Sequence, residues 1–591
     1  MLLLANPRRN AFNCAGVWRK RLSTINNTKI NHEDCDIVIV GGGPAGLALA
    51  AALGSSPSLR RNLSITLVEG GDLKKAEGWA PIPGSFSNRV SSLTNTSQTF
   101  LKSPSIQNCI YHILLTSTTG IGVWGHIDEA RTCGIDEMQV WDGISGARIA
   151  FSASELNLEK PELGMARLTE NFNLQRGLLR RLKDLPEVRL LQQTKVKSIV
   201  QDVEEHRQWP LVYLENDRVL RARLLIGADG FNSPVRAYAN IPSFGWSYDT
   251  QAIVATMTHP PRGAFEGPNT TAYQRFLPTG PIAFLPLSPT ASSLVWSTKP
   301  QLAAALLACE PPVLASMINA AFRLPELSVR YLHTRILEAQ LSGTPITPSE
   351  IQQEISWREQ SHSIDQHSIY ASANAAATIG MPLEGSEAVP PLVTTLQPGT
   401  VASFPLRLNH AEAYIGEGLG ARTALVGDAA HTVHPLAGQG LNMGLGDVES
   451  LARCIENAFL LGGDIGSHTA LLPYAQDRYL ENHILMATID KLHKIYSTDL
   501  QPIVWARSVG LEVLNELDSL KAAIMLTAGS RTDDAQRTSA TAWNVVAKGV
   551  ETLVAAADAS KILAGGLQNL LSSNLQRLLN TEGAPGQQKR V

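Results

Sequence analysis

The sequence contains few cysteines, and no two of them stand in a C-x-x-C pair. The six cysteines are spread along 591 residues, at positions Cys14, Cys35, Cys109, Cys133, Cys309 and Cys454. Zinc modules and disulfide scaffolds both need closely or regularly spaced cysteines, so this pattern argues against both classes of protein. It fits a protein of a reducing compartment.

The chain also has little excess charge of either sign. Its formal net charge is -3 at pH 7, and 44% of its residues are hydrophobic. Nucleic-acid-binding domains usually carry a strongly basic face, so nucleic acid is not an expected partner. The hydrophobic content is sufficient for a sizeable core, and the length predicts two or more domains.

Acidic residues are absent from the first 32 positions. The same stretch holds six basic residues, which are Arg8, Arg9, Arg19, Lys20, Arg21 and Lys29. A secretory signal would place its apolar core after the basic residues, whereas here the apolar residues 2–5 come first. We therefore interpret residues 1–33 as a mitochondrial transit peptide, with a disordered basic tail as the alternative.

Long uncharged runs are rare. Residues 37–59 carry no charge and are numerous enough to suggest a membrane span. The glycine-proline centre of this run, residues 41–46, argues against a span, and no other stretch is a candidate. Any contact with a membrane is therefore predicted to be peripheral.

A dinucleotide-binding pattern begins at residue 36. A β-branched run over residues 36–40 predicts a buried parallel strand, and a helix rich in alanine and leucine follows the sequence Gly-Gly-Gly-Pro-Ala-Gly. A second predicted strand, residues 65–68, leads into Glu69, which is placed to bind ribose hydroxyls. The motif glycines, which allow a tight turn and the close approach of a pyrophosphate, are Gly41, Gly43 and Gly46.

Two further positions are candidates for the same site. The predicted strand 224–227 leads into Asp229, which either caps the helix expected from Pro234 or faces a cofactor. Arg89 follows a loop rich in proline and glycine. We expect Arg89 near the cofactor, and the alternative is a surface arginine.

A second glycine-rich loop follows the predicted strand 423–426. Asp428 offers a carboxylate to a polyol hydroxyl, and the loop then delivers the chain into a helix from about Leu441. The N–H groups and the dipole at the start of such a helix suit an electron-rich ring, as in a flavin. The loop positions assigned to this site are Pro435, Gly438, Gly440, Leu441 and Asn442.

The sequence pattern divides the chain into further segments. Residues 34–246 and 405–530 are predicted to form two parts of one cofactor-binding domain, with helices in the second part. Short alternating strands over residues 247–404 predict a substrate domain, with an exposed polar insertion near 342–393. Residues 531–591 form an amphipathic appendix that we expect to pack on the core, with a membrane surface or a partner helix as alternatives.

Taken together, these motifs resemble the class A flavoprotein monooxygenases of the p-hydroxybenzoate hydroxylase type, over residues 36–530. Residues 434–447, His-Pro-Leu-Ala-Gly-Gln-Gly-Leu-Asn-Met-Gly-Leu-Gly-Asp, are similar to the signature of the ubiquinone-biosynthesis hydroxylases. Residues 138–142, Met-Gln-Val-Trp-Asp, and 274–281, Gln-Arg-Phe-Leu-Pro-Thr-Gly-Pro, resemble the mitochondrial branch of that family. The insertion and the appendix depart from a minimal member.

The resemblance implies an α/β fold, with a Rossmann-like FAD-binding domain, a mixed-sheet substrate domain and C-terminal helices. It implies FAD without a metal, O₂ as co-substrate, and ring hydroxylation, expected at C5, of a polyprenylated benzoate or phenol precursor of ubiquinone. Ferredoxin and its reductase are the expected electron donors, with NADPH as the alternative. Other coenzyme Q biosynthesis proteins are expected partners, at the matrix side of the mitochondrial inner membrane.

The same resemblance assigns roles within the site. It implies that the first glycine loop holds the pyrophosphate, Glu69 the adenosine ribose, Asp428 the ribityl chain and residues 438–442 the isoalloxazine ring, and it assigns no catalytic base. His431 and His434 form an H-x-x-H pattern without a third ligand, which disfavours a metal. The competing hypotheses are another flavin-dependent hydroxylase, dehydrogenase or halogenase, and a non-catalytic FAD-binding scaffold.

Overall fold

The computed structural model describes residues 31–102, 120–156, 164–202, 209–262, 267–362, 389–435 and 438–516. The predicted transit peptide up to residue 30, half of the predicted insertion and the whole appendix lie outside these ranges. Within them, no helix has both the length and the apolar character needed to cross a bilayer. The uncharged run 37–59 is instead divided between a strand and two helices.

The first sheet is built from hydrophobic strands around Glu33–Val40. The β-branched end of this strand is buried, because parallel strands lie between helices on both sides. Glu33–Val40 pairs in parallel with Ile65–Val68 and Val219–Gly227. The spatial order of the sheet is Val188–Leu191, Ile65–Val68, Glu33–Val40, Val219–Gly227, Pro210–Leu214 and Val196–Gln201, with Thr423–Leu425 also paired to Val219–Gly227.

Two strands of this sheet follow one another along the chain with a turn between them. The sequence of residues 189–200 predicts a single strand, but the structure has two, Val188–Leu191 and Val196–Gln201. Gln193 between them has φ 54°, which a continuous strand does not permit. The chain turns there, and the Thr194 N–H donates to the Glu69 carbonyl at 2.9 Å.

The helices beside this sheet are Pro44–Ser55, Asn171–Lys183 and Gly440–Leu460, the last of which we call the central helix. Short helices are Pro57–Arg60, Lys74–Glu77, Asn95–Leu101 and Pro234–Tyr238. Pro44–Ser55 is alanine-rich and almost wholly buried, so it packs closely against both other helices. A small antiparallel sheet of Val90–Thr94, Ala166–Glu170 and Thr132–Ile135 is separate from the first sheet.

The second sheet is mixed, as expected for a substrate domain. Its spatial order is His431–Thr432, Ala402–Ala411, Ser243–Thr258, Ala291–Thr298, Gly280–Ser288, Thr271–Leu277, Glu137–Asp142 and Arg148–Ser152, with Thr395–Leu396 beside Ser243–Thr258. The sheet thus takes in residues 137–152, which lie outside the segment predicted for it. The domain limits themselves stay predictions.

Four helices, Pro300–Ala308, Pro311–Arg323, Glu326–Ser342 and Pro348–Ser361, share a second hydrophobic core with this sheet. The expectation of an exposed insertion fails for Pro348–Ser361. Its polar sequence includes Ile351 and Ile355, which are fully buried in that core. Two apolar residues at i and i+4 were enough to anchor the helix.

Two helices complete the described chain. The long helix His468–Tyr496 begins with Ser467 as its N-cap, and the last helix runs from Gln501 to Glu516. A buried ion pair links the last helix to the second sheet, because Arg507 Nη2 donates to Asp142 Oδ1 at 2.8 Å.

Candidate functional site

The three predicted turns meet at the carboxyl ends of the parallel strands. A Cβ built on Gly427 would lie 3.1 Å from Ala45 Cβ, and one on Gly444 would lie 3.3 Å from Gly427 Cα. The start of helix Pro44–Ser55, the turn Gly427–Ala429 and the central helix therefore touch one another. Ligands of open α/β sheets bind at this edge.

The first glycine loop contains two glycines that the protein itself requires. Gly41 has φ 109°, and a Cβ there would lie 2.2 Å from the Ala228 carbonyl oxygen. A Cβ on Gly46 would lie 1.9 Å from the Gly41 carbonyl oxygen. Neither position can carry a side chain without moving the backbone.

Gly43 is different, because no described residue explains why it lacks a side chain. Its φ of -69° is open to any residue, and a Cβ there would meet no atom of the described residues within 4 Å. Gly43 is also the N-cap of helix Pro44–Ser55, where free N–H groups attract anions. The open cradle fits a pyrophosphate.

Glu69 lies beside this cradle, at the end of strand Ile65–Val68. Its carboxylate accepts hydrogen bonds from the backbone N–H groups of Gly42 and Gly71. These contacts hold the carboxylate at the mouth of the loop. Its binding of a ribose stays a prediction.

The two carboxylate oxygens of Asp229 have different surroundings. Oδ2 accepts from the Val235 N–H at 3.1 Å, next to the Ser233 N-cap of helix Pro234–Tyr238. Oδ1 is buried and has no hydrogen-bond partner among the described residues. Burial raises the pKa of Asp229, against the hydrogen bonds that lower it. An unpartnered buried oxygen at this edge fits a ligand hydroxyl or an ordered water.

Asp428 projects from the turn Gly427–Ala429. The residue is exposed, and no hydrogen bond ties its carboxylate to another described residue. The turn is held from behind, where the Gly427 N–H donates to Asp447 and Arg236 donates to the Ala429 carbonyl. The Asp428 carboxylate is thus positioned by its backbone and remains available to a polyol.

The second glycine loop ends in the central helix. Gly438 has φ 61°, and its N–H donates to the Pro435 carbonyl at 3.1 Å. The Met443 N–H donates the first hydrogen bond of the helix, to the Gln439 carbonyl at 2.9 Å. The N–H groups of Gly440, Leu441 and Asn442 come before this bond. These three N–H groups have no acceptor among the described residues, and together with the helix dipole they would stabilise negative charge on a flavin ring.

The side chain of Asn442 makes hydrogen bonds within the protein and is not available to a ligand. Its Oδ1 accepts from the Thr94 N–H at 3.0 Å and from Ser97 Oγ at 2.8 Å, and its Nδ2 donates to the Ser92 carbonyl at 2.8 Å. Asn442 therefore joins the central helix to strand Val90–Thr94. Only its backbone N–H remains for a ligand.

Arg89 is exposed and directly precedes strand Val90–Thr94. The strand borders the site, since a Cβ on Gly438 would lie 3.5 Å from Ser92 Cβ. No hydrogen bond or ion pair with another described residue fixes the Arg89 guanidinium, and its role stays a prediction.

Sequence reasoning missed Asp447, the buried anchor of this site. Its carboxylate accepts from the Gly427 N–H at 3.0 Å, His431 Nε2 at 2.6 Å, Arg478 Nε at 3.0 Å and Asn482 Nδ2 at 2.9 Å. Burial alone would raise the pKa of Asp447, but His431, Arg478 and Asn482 outweigh it and lower the pKa to about 2. The available signal was an acid among the apolar positions of the helix that face inward, such as Val448 and Leu451.

The two histidines of the H-x-x-H pattern face different partners. His431 is engaged by Asp447, while His434 packs against the rings of Tyr248 and His493, at 5.2 and 4.8 Å between centroids. Burial, with His493 alongside, lowers the pKa of His434 to about 3. The described ranges contain no group of three or more metal-ligating side chains.

Comparisons with known proteins agree with this geometry. A family model described as an FAD binding domain matches residues 145–340 and 387–480, which include Asp229, Asp428 and the second glycine loop. The mitochondrial ubiquinone biosynthesis monooxygenase COQ6 of Saccharomyces cerevisiae is 37% identical over 506 residues, covering 84% of this chain and 93% of the relative. The human protein of the same name is 34% identical, covering 83% and 91%.

Solved structures confirm the expected fold. The p-nitrophenol 4-monooxygenase PnpA of Pseudomonas putida superposes with a TM-score of 0.54 at 16% identity, covering 85% of this chain and 100% of that one. PqsL, a probable FAD-dependent monooxygenase of Pseudomonas aeruginosa, gives 0.51 at 19% identity, covering 81% and 99%. The cofactor prediction is confirmed as FAD, which the open cradle, the free helix N–H groups and the unpartnered Asp229 oxygen fit.

Proposed function

The chain belongs to the COQ6 family of ubiquinone-biosynthesis monooxygenases, and from that premise we propose that it hydroxylates C5 of a polyprenylated benzoate or phenol ring. It is an FAD-dependent monooxygenase of coenzyme Q biosynthesis. The observation that carries this proposal is the match to yeast COQ6 over 93% of that protein, together with the intact glycine loops. The C5 position comes from the resemblance alone.

Bound FAD supplies the chemistry, which is the use of O₂ to place a hydroxyl on the ring. The chain supplies position and charge. The two glycine loops would hold the two ends of the cofactor, and the N–H groups at the start of the central helix would face its ring system. Asp447 lies on the central helix and joins it to the Asp428 turn and to the long helix, because its carboxylate accepts from the Gly427 N–H and from Arg478 Nε.

The electron donor in this proposal is a ferredoxin with its reductase. Support comes from the sequence and the fold, because the second G-x-G-x-x-G, residues 120–125, leads into the 3-10 turn Trp124–His126 and not into the α-helix that a nicotinamide dinucleotide site needs. Gly416-Glu417-Gly418 is only a partial match, and strand Ala402–Ala411 ends several residues before it. Anaerobic mixing tests the donor: ferredoxin and reductase should bleach the flavin, and rapid bleaching by NADPH alone would overturn this choice.

Like its relatives, the protein is mitochondrial, and we place it at the matrix face of the inner membrane as a peripheral protein. The support is the proposed substrate, whose prenyl tail leaves the bilayer only at about 0.8 kcal/mol per CH₂. The shared tail also favours an assembly with other coenzyme Q biosynthesis proteins. Alkaline extraction of mitochondrial membranes should release the protein, and retention in the membrane would contradict peripheral binding.

The decisive experiment removes the gene and identifies the quinone precursors that accumulate by mass spectrometry. We expect a prenylated precursor that lacks one ring hydroxyl, with its position resolved by fragmentation. Reintroducing the wild-type chain should restore ubiquinone, whereas a Gly43→Val chain should not. Normal ubiquinone in the deletion strain would exclude the proposed function, and a missing hydroxyl elsewhere on the ring would exclude only C5.

A further inference from the structure

The last helix, Gln501–Glu516, is apolar on two faces. One face is buried, where Ile503 and Leu511 pack beside Phe276 of the second sheet and Tyr496 of the long helix. A helix docked on a single core normally presents polar residues on its other side. This helix exposes three apolar residues there, with Glu512 as an exposed charge beside them.

Its outward face carries Trp505, Val509 and Val513, which are 68%, 38% and 51% exposed. Their spacing of four residues places them on one face, over a length of about 12 Å. We call these three residues the outer stripe. No described residue covers it, and an apolar face of this kind is normally buried by a partner.

Gly510 adds a second observation beside the outer stripe. A Cβ on Gly510 would meet nothing within 4 Å, so the described fold does not need a glycine there. A glycine inside a helix costs about 1 kcal/mol relative to alanine. Close approach of another segment to the helix backbone, next to Ala506 and Gly510, would explain the choice.

The charges of the last helix argue against a membrane as the cover. Its one basic residue, Arg507, is buried in the ion pair with Asp142. Glu512 is exposed. An anionic membrane surface attracts exposed lysine and arginine and would repel the exposed Glu512 carboxylate. An apolar segment of protein fits better.

We propose that residues 546–578 of the same chain cover the outer stripe. The chain leaves the last helix at Glu516 and continues to residue 591, so residues 517–545 are long enough to reverse its direction. The covering segment has apolar residues at helical spacing, namely Val546, Val550, Leu553, Val554, Leu563, Leu567, Leu570, Leu571, Leu575 and Leu578. Burial of two apolar faces against each other would drive the docking.

Cysteine alkylation of the FAD-loaded protein tests this proposal without any assay of the reaction. Val509→Cys is placed in the full chain and in a chain that ends at Ser530, and modification is followed by peptide mass spectrometry. We expect the full chain to react at least about tenfold more slowly, because the segment shields the thiol. Leu480→Cys, at a 62% exposed position on the long helix, is the matched control and should react equally in both.

A blocking substitution separates shielding from a general loss of structure. Gly510→Leu has room in the described fold but would obstruct a docked segment, so in the full chain it should raise Val509→Cys reactivity to that of the shortened chain. Equal rates in the full and shortened chains would overturn the proposal. Shielding that appears only with anionic vesicles, or only at high protein concentration, would also overturn it in favour of a membrane or a second copy.

Discussion

The two glycine loops of the proposed FAD site are held in place by different physical means. The first loop is fixed by backbone contacts, since Gly41 and Gly46 leave no space for a side chain. The second loop leads into a helix that is fixed by the buried charge of Asp447 and its partners His431, Arg478 and Asn482. Steric constraints therefore fix the first loop, and electrostatic interactions fix the second. Substitutions in each loop should distinguish these two causes.

The largest effect is expected for Asp447→Asn. The amide cannot neutralise the Arg478 guanidinium, and breaking a buried ion pair costs about 3–5 kcal/mol. Chemical denaturation should show this loss, together with depleted FAD. Asp477→Asn is the matched control, because Asp477 is partly exposed and accepts from Ser450 Oγ at 2.7 Å. A variant at position 447 as stable as the control would contradict the electrostatic account of the second loop.

Gly41→Ala should come next. A side chain at φ 109° is strained by about 1–3 kcal/mol, and its Cβ would also meet the Ala228 carbonyl. The unfolding temperature should fall even in FAD-free protein. Gly43→Ala is the control and should leave the apoprotein unchanged, since its Cβ meets nothing. Equal stability of these two apoproteins would remove the steric account of the first loop.

Low pH should selectively weaken the stabilisation that Asp447 gives to the second glycine loop. The pKa of Asp447 is about 2 in the fold, below the ~3.9 of an unfolded aspartate, so its contribution is present above pH ~4 and lost as the pH falls towards 2. The contribution is on the order of 2 kcal/mol. Denaturation at a series of pH values should give a shallower acid loss in Asp447→Asn than in wild type. If stability fell with pH in the same way in both proteins, the pKa of Asp447 would not be lowered in the fold.

The smallest effect is expected for Asp428→Ala. The change removes one charged hydrogen-bond acceptor for FAD, worth about 1.5 kcal/mol, or roughly tenfold in affinity. Titration of the apoprotein with FAD should show the weaker binding. The apoprotein's unfolding temperature should not change, because no described residue depends on the Asp428 carboxylate. Unaltered affinity would exclude Asp428 from the polyol site.

These differences explain which features the sequence could predict. Gly41, Gly46 and the strand before them are local features, and a turn that admits only glycine is recognisable from neighbouring residues. Asp447 joins residues up to 35 positions away, so its partners cannot be read from a short window. The same is true of Asp142 and Arg507, which meet across 365 positions. The assignment of residues 137–152 to the second sheet was missed for that reason.

The central claim is that the first glycine loop leaves its open space for FAD. Gly43→Val tests it most directly, because position 43 permits the side chain sterically in the absence of a ligand. The measurement is FAD content per protein after purification, paired with the unfolding temperature of the apoprotein. The account predicts strongly depleted FAD at an unchanged apoprotein unfolding temperature. Full FAD occupancy in Gly43→Val would contradict it.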